Sequence, residues 1–254
     1  MKIFVIALNT FRETVREKVL YNLLFFALLM IGSSILLSTL TIGEQSKIIM
    51  DIGLASINIF GILIAIFVGI GLVSKEIEKK TIYTIISKPI YRYQFLLGKY
   101  LGLLITLFVN TSIMVTGFFG VLILMTYNIT PDMIKAILLI FVELMVVTAV
   151  AIMFSTFTTS LLSAIFTISI YIIGHLLGDL KAFAAKLGNP VITFLLDALY
   201  YILPNLENFN IKGEVVHNIA LDPSFIVMSV LYGLLYISMI LFSSVIIFQR
   251  RDFK

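Results

Sequence analysis

The sequence MIKAILLIFVELMVVTAVAIMF, residues 133–154, is almost entirely apolar, and Lys135 and Glu143 are its only ionisable side chains. A helix rises about 1.5 Å per residue, so a run of this length crosses the roughly 30 Å hydrocarbon layer of a bilayer. Of the 254 residues, 60% are hydrophobic and 13% charged, about half the charged fraction of a soluble domain. The sequence therefore predicts an all-α polytopic membrane protein, a single transmembrane domain whose other five transmembrane helices fall at 19–42, 52–74, 95–127, 161–178 and 225–248.

The positions of Lys and Arg predict the orientation, because these residues are retained on the cytoplasmic side. Thirteen of them precede the first span, separate the second from the third or follow the last, and five lie in the other connections. With an even number of spans, this distribution predicts that both termini lie in the cytoplasm. We expect a multi-pass protein of the cytoplasmic (plasma) membrane. The net charge of +4 is explained by these topology signals, so we expect the lipid bilayer as a partner and no nucleic acid.

The first 18 residues are too short and too charged for a span. Phe4, Leu8, Phe11 and Val15 recur at spacings of four, three and four, and the charged residues fall elsewhere around the helix. This pattern predicts an amphipathic helix over 1–18 that lies in the cytoplasmic interface.

The segment 179–224, between the last two spans, is expected on the extracytoplasmic side. It contains three prolines and one apolar run, 191–203. That run is too short to span comfortably, which favours a re-entrant or interfacial helix.

The most informative polar stretch is SKEIEKKTIYTIISKPIYRYQFLLGKYLG, residues 74–102. Ile77, Ile82 and Ile85 can share one face of a short helix, and Pro89 ends that helix because it disfavours helical geometry at the residue before it. We call residues 75–94 the coupling stretch. The pattern is compatible with a rigid cytoplasmic helix-turn-helix, or with a solvated loop whose charges only set the topology.

This stretch resembles the cytoplasmic coupling element of type 2 ABC exporter permeases, the six-span subunits of ATP-binding-cassette transporters. The N-terminal residues 9–13 are similar to the amphipathic entry helix of that family, whereas Lys80 and Tyr91 depart from its usual Gly and Ser. The coupling pattern is matched by Glu78, Thr81, Ile85, Ile86, Ser87, Lys88, Pro89, Arg92, Phe95, Leu96, Leu97, Gly98 and Lys99.

The resemblance implies an exporter built from two permease copies, identical or related chains, bound to cytoplasmic ABC ATPase subunits that hold ATP and Mg. This chain has no GxxxxGK[ST] loop, since Gly98-Lys99 is followed by Tyr100, so it is expected to be no enzyme and to bind no cofactor. The residues that the resemblance assigns to ATPase coupling are Glu76, Glu78, Thr81, Ile82, Ile85, Lys88, Pro89 and Arg92.

Small residues recur at helical spacing in three spans, and helices in lipid associate by close packing of such residues. They could form ordinary packing within one subunit or a dedicated dimer face. The helix-packing candidates are Gly61, Ala65 and Gly69 in the second span and Gly98 and Gly102 in the third, with Gly174 and Gly178 in the fifth.

Glu143 lies near the middle of the fourth span, where an ionisable group is costly. It could face a polar cavity or pair across helices with Asn58, Asn110 or His175, or it could be a protonated carboxyl with only a structural role. His175 and His217 are the two histidines of the chain and make no convincing metal cluster, and no metal is expected.

Two other function classes stay open. An ATP-independent secondary transporter or channel would need several intramembrane charges or broken helices, and Glu143 is one such charge. A membrane enzyme would need converging catalytic groups at one depth; the absence of cysteine excludes thiolate chemistry, and Asp197 and Asp222 form no such set with the histidines. The transported substrate stays open. Lipids, peptides and drugs are candidates, and so is a role in the maturation of an exported metalloenzyme.

Overall fold

The computed structural model describes residues 2–41, 43–78, 91–187 and 189–250. These residues form helices and turns, and they contain no β-strand. Six of the helices are long and apolar enough to cross a membrane. The prediction of an all-α polytopic protein with six membrane helices is therefore confirmed.

Within each described range, the helices follow one another with short connections. Those of membrane length are α2, α3, α4, α5, α6 and α9. In chain order the elements are α1 Lys2–Thr14, α2 Lys18–Ser38, α3 Gln45–Glu78, α4 Arg92–Leu124, α5 Pro131–Ser155, α6 Ser160–Leu187, α7 Pro190–Ile202, a 3-10 turn Leu206–Phe209, α8 Lys212–Val216 and α9 Pro223–Arg250.

Helices α4 and α6 end at residues that differ from the sequence-based ranges. Helix α4 ends at Leu124, three residues before the expected 127, because Thr126 has a left-handed φ of 62°. Helix α6 continues from the expected end at 178 to Leu187, so the first part of the segment 179–224 extends a membrane helix.

Three helices begin with proline after a polar residue. Proline suits the first helical position because its missing N–H would have no intrahelical partner there. In α5 this residue is Pro131, and before α7 the Asn189 side chain accepts a hydrogen bond from Val191 N at 3.0 Å. Before α9, Asp222 accepts from Ser224 N at 2.9 Å and from its hydroxyl at 2.7 Å. These bonds hold the pKa of the Asp222 carboxyl below its usual value.

Helices α3 and α5 form the centre of the bundle. In each, 67% of the most apolar 18-residue stretch is buried, against 22% in α2 and α6. Helix α2 accordingly presents Phe25, Phe26 and Leu36 on its outer surface. Such apolar side chains are stable there because lipid, and not water, surrounds the bundle.

The bundle has two ends, named here by the helices they carry. The α1 end holds α1, the end of α3, the start of α4 and the end of α9, where Arg92 hydrogen-bonds Phe248. The α7 end holds the α2–α3 and α4–α5 connections together with α7, the 3-10 turn and α8.

Candidate functional site

At the α1 end, α1 lies directly on α4 through two glycines of α4. A Cβ atom at Gly98 would come within 2.7 Å of Ile6 Cβ. A Cβ at Gly102 would come within 2.6 Å of the Ala7 carbonyl oxygen and of Thr10 Cβ. The two glycines therefore serve contact within the chain, where they let an amphipathic helix approach a membrane helix.

Lys99, between these glycines, joins the same contact. Its Nζ lies 3.3 Å from Glu13 Oε2 of α1 and 5.8 Å from the centre of the Phe95 ring. The Lys99 side chain is 3% exposed, whereas that of Glu13 is 44% exposed. The ammonium group is thus directed to α1, which identifies Gly98-Lys99 as a docking feature for that helix.

The start of α4 is bonded to the end of the last helix. Arg92 Nη1 donates to the carbonyl oxygens of Phe248 and Gln249, each at 2.9 Å. Phe95 stacks on Phe248 with ring centres 6.0 Å apart and planes at 16°. Carbonyls at a helix C-terminus have no intrahelical donor, so a guanidinium is a favourable partner for them.

Seven of the eight predicted coupling residues lie, in whole or in their side chains, outside the part of the chain that the structure describes. Glu76 and Glu78 lie at the end of α3, and their side chains fall outside the described part. Thr81, Ile82, Ile85, Lys88 and Pro89 lie outside the described residues. Their role stays a prediction, and Arg92 is the member of the set whose contacts are described.

The small residues of the second span pack α3 against α5. A Cβ at Gly61 would lie 2.8 Å from Leu144 Cδ1, and a Cβ at Gly69 would lie 3.6 Å from Ala151 Cβ. Ala65 between them is 1% exposed. All three therefore contribute to packing inside this chain.

The buried polar centre of the bundle is Glu143, which is 1% exposed at the middle of α5. Its Oε2 accepts a hydrogen bond from Asn58 Nδ2 of α3 at 2.7 Å. Asn58 Oδ1 in turn accepts from the Tyr171 hydroxyl of α6 at 3.2 Å. The structure thus brings Glu143 and Asn58 together and adds Tyr171. Asn110 is not part of this group, because its Nδ2 donates to the Thr106 carbonyl oxygen one turn earlier.

His175 connects this centre to the α7 end. Its Nε2 lies 2.8 Å from Glu143 Oε1, and its Nδ1 lies 2.9 Å from Glu207 Oε2 in the 3-10 turn. Glu207 Oε1 also accepts a hydrogen bond from Asn210 Nδ2 at 2.9 Å. We call Glu143, His175 and Glu207 the carboxylate–histidine chain.

Glu207 reaches His175 because the turn before it enters the bundle. A Cβ at Gly174 would lie 2.8 Å from Leu206 Cγ and 2.9 Å from the Pro204 carbonyl oxygen, so α6 accepts this turn only at a glycine. Asn205 N donates to the Tyr232 hydroxyl of α9 at 2.8 Å. Both Tyr171 and Glu207 were missed by the sequence analysis, since no local pattern indicates this path of the chain.

An open cavity of about 430 Å³ at the α7 end lies beside the carboxylate–histidine chain. His175 and Glu207 form part of its lining, together with Asp179, Asn210 and Lys212. Among the described residues, no group of three or more His, Asp or Glu side chains has the arrangement of a metal site. The arrangement is suited to holding and exchanging protons, because both histidine nitrogens face carboxylate oxygens.

Comparison with known proteins adds the family. The chain matches a family model described as "ABC-2 family transporter protein" over residues 4–253, nearly its whole length. A search of curated proteins finds no match. The family match confirms the resemblance to ABC transporter permeases that residues 74–102 carry, and six membrane helices fit a permease. This chain therefore belongs to the ABC-2 family, as a multi-pass membrane permease component of an ABC transporter.

Proposed function

We propose that this permease is the membrane subunit of an exporter, driven by ATP that separate cytoplasmic ATPase subunits bind with Mg and hydrolyse. Two permease copies, identical or related, work together in the plasma membrane. The family match over residues 4–253 is the observation that carries the proposal. On this topology the α1 end lies in the cytoplasm, the α7 end lies outside, and both termini are cytoplasmic.

The lengths of α3 and α4 support a mechanical role for the coupling stretch. They have 34 and 33 residues, about 50 Å of helix each, against a hydrocarbon layer of roughly 30 Å. Both are long enough to project beyond the layer. The end of α3 at Glu78 and the start of α4 at Arg92 flank the part of the coupling stretch that would meet an ATPase.

In the proposed mechanism, ATP binding draws two ATPase subunits together, and the coupling stretch passes their movement to α3 and α4. Helix α4 carries α1 with it through Gly98 and Gly102 and is bonded to α9 through Arg92. A displacement at the ATPase contact therefore acts on four helices at once, α1, α3, α4 and α9. That arrangement suits a rigid-body rearrangement of the bundle.

The test is purification of the complex from cells that express both subunits. Ile82→Asp combined with Ile85→Asp should abolish co-purification of the ATPase or uncouple ATP hydrolysis from transport, with membrane insertion retained. Replacement of Glu78 by Ala or Pro89 by Ala should also uncouple hydrolysis. Ile219→Asp, at an exposed isoleucine of the α7 end, is the matched control and should leave coupling intact. Full ATP-driven transport by the Ile82, Ile85 double variant contradicts the mechanism.

Orientation is tested separately, and the absence of cysteine makes single-cysteine labelling clean. An impermeant thiol reagent added to intact cells should modify Lys212→Cys at the α7 end. Lys79→Cys should react only after the membrane is opened. The reverse labelling pattern would disprove the proposed topology.

An ATP-independent transporter or channel is the second candidate, and the carboxylate–histidine chain is the observation in its favour. Intramembrane carboxylate and histidine groups mark proton pathways in such proteins. The two functions differ in one measurement. Reconstituted permease without an ATPase should move no solute if the first proposal holds, whereas solute movement by the permease alone supports the second.

A further inference from the structure

We propose that Glu143, His175 and Glu207 form a proton-binding site that exchanges protons with the cavity at the α7 end. This inference goes beyond the proposed transport function and does not depend on an ATPase. It rests on three observations: the pairing of both histidine nitrogens with carboxylates, the exposure of the three side chains, and the hydrogen bonds that hold the site.

The count of protons follows from the two contacts of His175. Each contact joins a ring nitrogen to a carboxylate oxygen, at 2.8 Å for Nε2 and 2.9 Å for Nδ1. A nitrogen and an oxygen at these distances need one proton between them, and neutral histidine carries one N–H. Two protons are therefore shared by the three groups, which leaves the site with a net charge of −1.

Loss of one shared proton would set a nitrogen lone pair against an oxygen lone pair and change the net charge from −1 to −2. Glu143 lies at the middle of a membrane helix, where each uncompensated charge is costly. The geometry of the structure is accordingly that of the proton-loaded state. The unloaded state would have to separate His175 from one of its carboxylates.

Exposure gives the direction of access. The side chain of Glu143 is 1% exposed, that of His175 is 19% exposed and that of Glu207 is 50% exposed. The open cavity lies at the Glu207 and His175 end of this series. A proton therefore enters through Glu207 and His175 Nδ1 and reaches Glu143 last.

The neighbouring groups hold the site from each helix around it. Helix α3 contributes the uncharged Asn58, and α6 contributes Tyr171, whose ring contacts His175 at 4.9 Å between centres. The cavity adds the carboxylate of Asp179 on α6 and the ammonium group of Lys212 on α8. From α9, the hydroxyl of Tyr232 accepts from the turn that carries Glu207. The cavity charges of Asp179 and Lys212 have opposite signs, so together they add no net charge to the lining.

The two histidines of the chain make a direct test possible. His217→Gln leaves His175 as a single reporter for nitrogen-15 NMR of the reconstituted permease. We expect one protonation step that moves both ring nitrogen signals together. Glu143→Gln and Glu207→Gln should each displace its midpoint by about one pH unit or more, because a neighbouring charge of opposite sign has effects of this size.

Glu214→Gln in α8 is the matched control, an identical substitution outside the carboxylate–histidine chain, and should leave the midpoint unchanged. An unchanged midpoint in both Glu143→Gln and Glu207→Gln would overturn the proposal.

A second measurement needs no carboxylate variant and so covers the case in which these variants do not fold. In deuterated buffer, the Nδ1 proton of His175 should exchange faster than the Nε2 proton, since Nδ1 faces Glu207 and the cavity. Equal rates, or faster exchange at Nε2, would refute access from the α7 end.

Discussion

Replacement of Gly102 by alanine should weaken the docking of α1 on α4. The added methyl carbon would lie 2.6 Å from the Ala7 carbonyl oxygen and from Thr10 Cβ. Ordinary contact needs about 3.5 Å, so α1 must move by roughly 1 Å. Thr10 Cγ2 would also lie 2.8 Å away, but rotation of this side chain cannot relieve the contacts with the Ala7 carbonyl oxygen and Thr10 Cβ, so the helix itself has to move.

The size of the effect follows from a comparison within the same helix. Beyond the helix's own turns, no atom of the described residues lies within 4 Å of a Cβ added at Gly120 of α4. Gly120→Ala therefore gains the helix preference of alanine, about 1 kcal/mol, without a clash. Gly102→Ala has the same gain but adds an overpacking cost of about 1–3 kcal/mol. We therefore expect Gly102→Ala to be about 1–3 kcal/mol less stable than Gly120→Ala, or lower by about 2 to 12 °C in Tm.

The assay combines thermal melting in detergent with limited trypsin digestion. Arg12, in the last turn of α1, and Arg16, in the turn that follows it, are tryptic sites, and we expect cleavage at Arg12 to need α1 to leave α4. Digestion at these sites should be faster in Gly102→Ala than in Gly120→Ala. Equal Tm values together with equal digestion rates would refute the docking argument.

Three further predictions test neighbouring contacts. Lys99→Met should increase tryptic cleavage of α1 less than Gly102→Ala does, because an apolar side chain of similar length fills the same buried space; an equal increase would contradict this. Arg92→Gln should speed proteolysis of a C-terminal tag, because two carbonyls of the last helix lose a charged hydrogen-bond donor. The loss should cost about 1–3 kcal/mol of stability in total. An unchanged proteolysis rate would count against the bond. Gly174→Ala should alter the His175 signals by displacing the Pro204 turn, whereas Gly178→Ala, with open space around it, should not.

The sequence was sufficient for the parts of the fold that depend on one helix at a time. Apolar runs the length of a bilayer predict membrane helices whatever they pack against. The amphipathic N-terminal segment likewise predicts a helix over the first residues. Packing within the chain was only one of two interpretations of the glycine spacing, and neither named α1 as the partner of Gly98 and Gly102. Deciding between packing within the chain and a dimer face requires the distances.

The polar centre shows more clearly which contacts the sequence does not predict. Glu143 needed a partner at membrane depth, and Asn58 and His175 were among the candidates by depth alone. Glu207 could not be found in this way, because it follows α7 in a segment expected outside the bilayer. Its approach depends on a glycine in α6 and a tyrosine in α9, far apart in sequence, which together admit the 3-10 turn.

Helix α3 joins the two regions of interest. Asn58, bonded to Glu143, and Glu78, at the start of the undescribed coupling residues, are separated by about 30 Å of continuous helix. Between them, Gly61 and Ala65 face α5, so α3 has to slide along α5 when it tilts. If the coupling stretch moves α3 as we propose, the Asn58–Glu143 hydrogen bond must lengthen or break. Protons at the α7 end and ATP at the α1 end would then act on the same helix. Proton binding by the carboxylate–histidine chain and the ATP-driven movement would therefore be coupled in free energy.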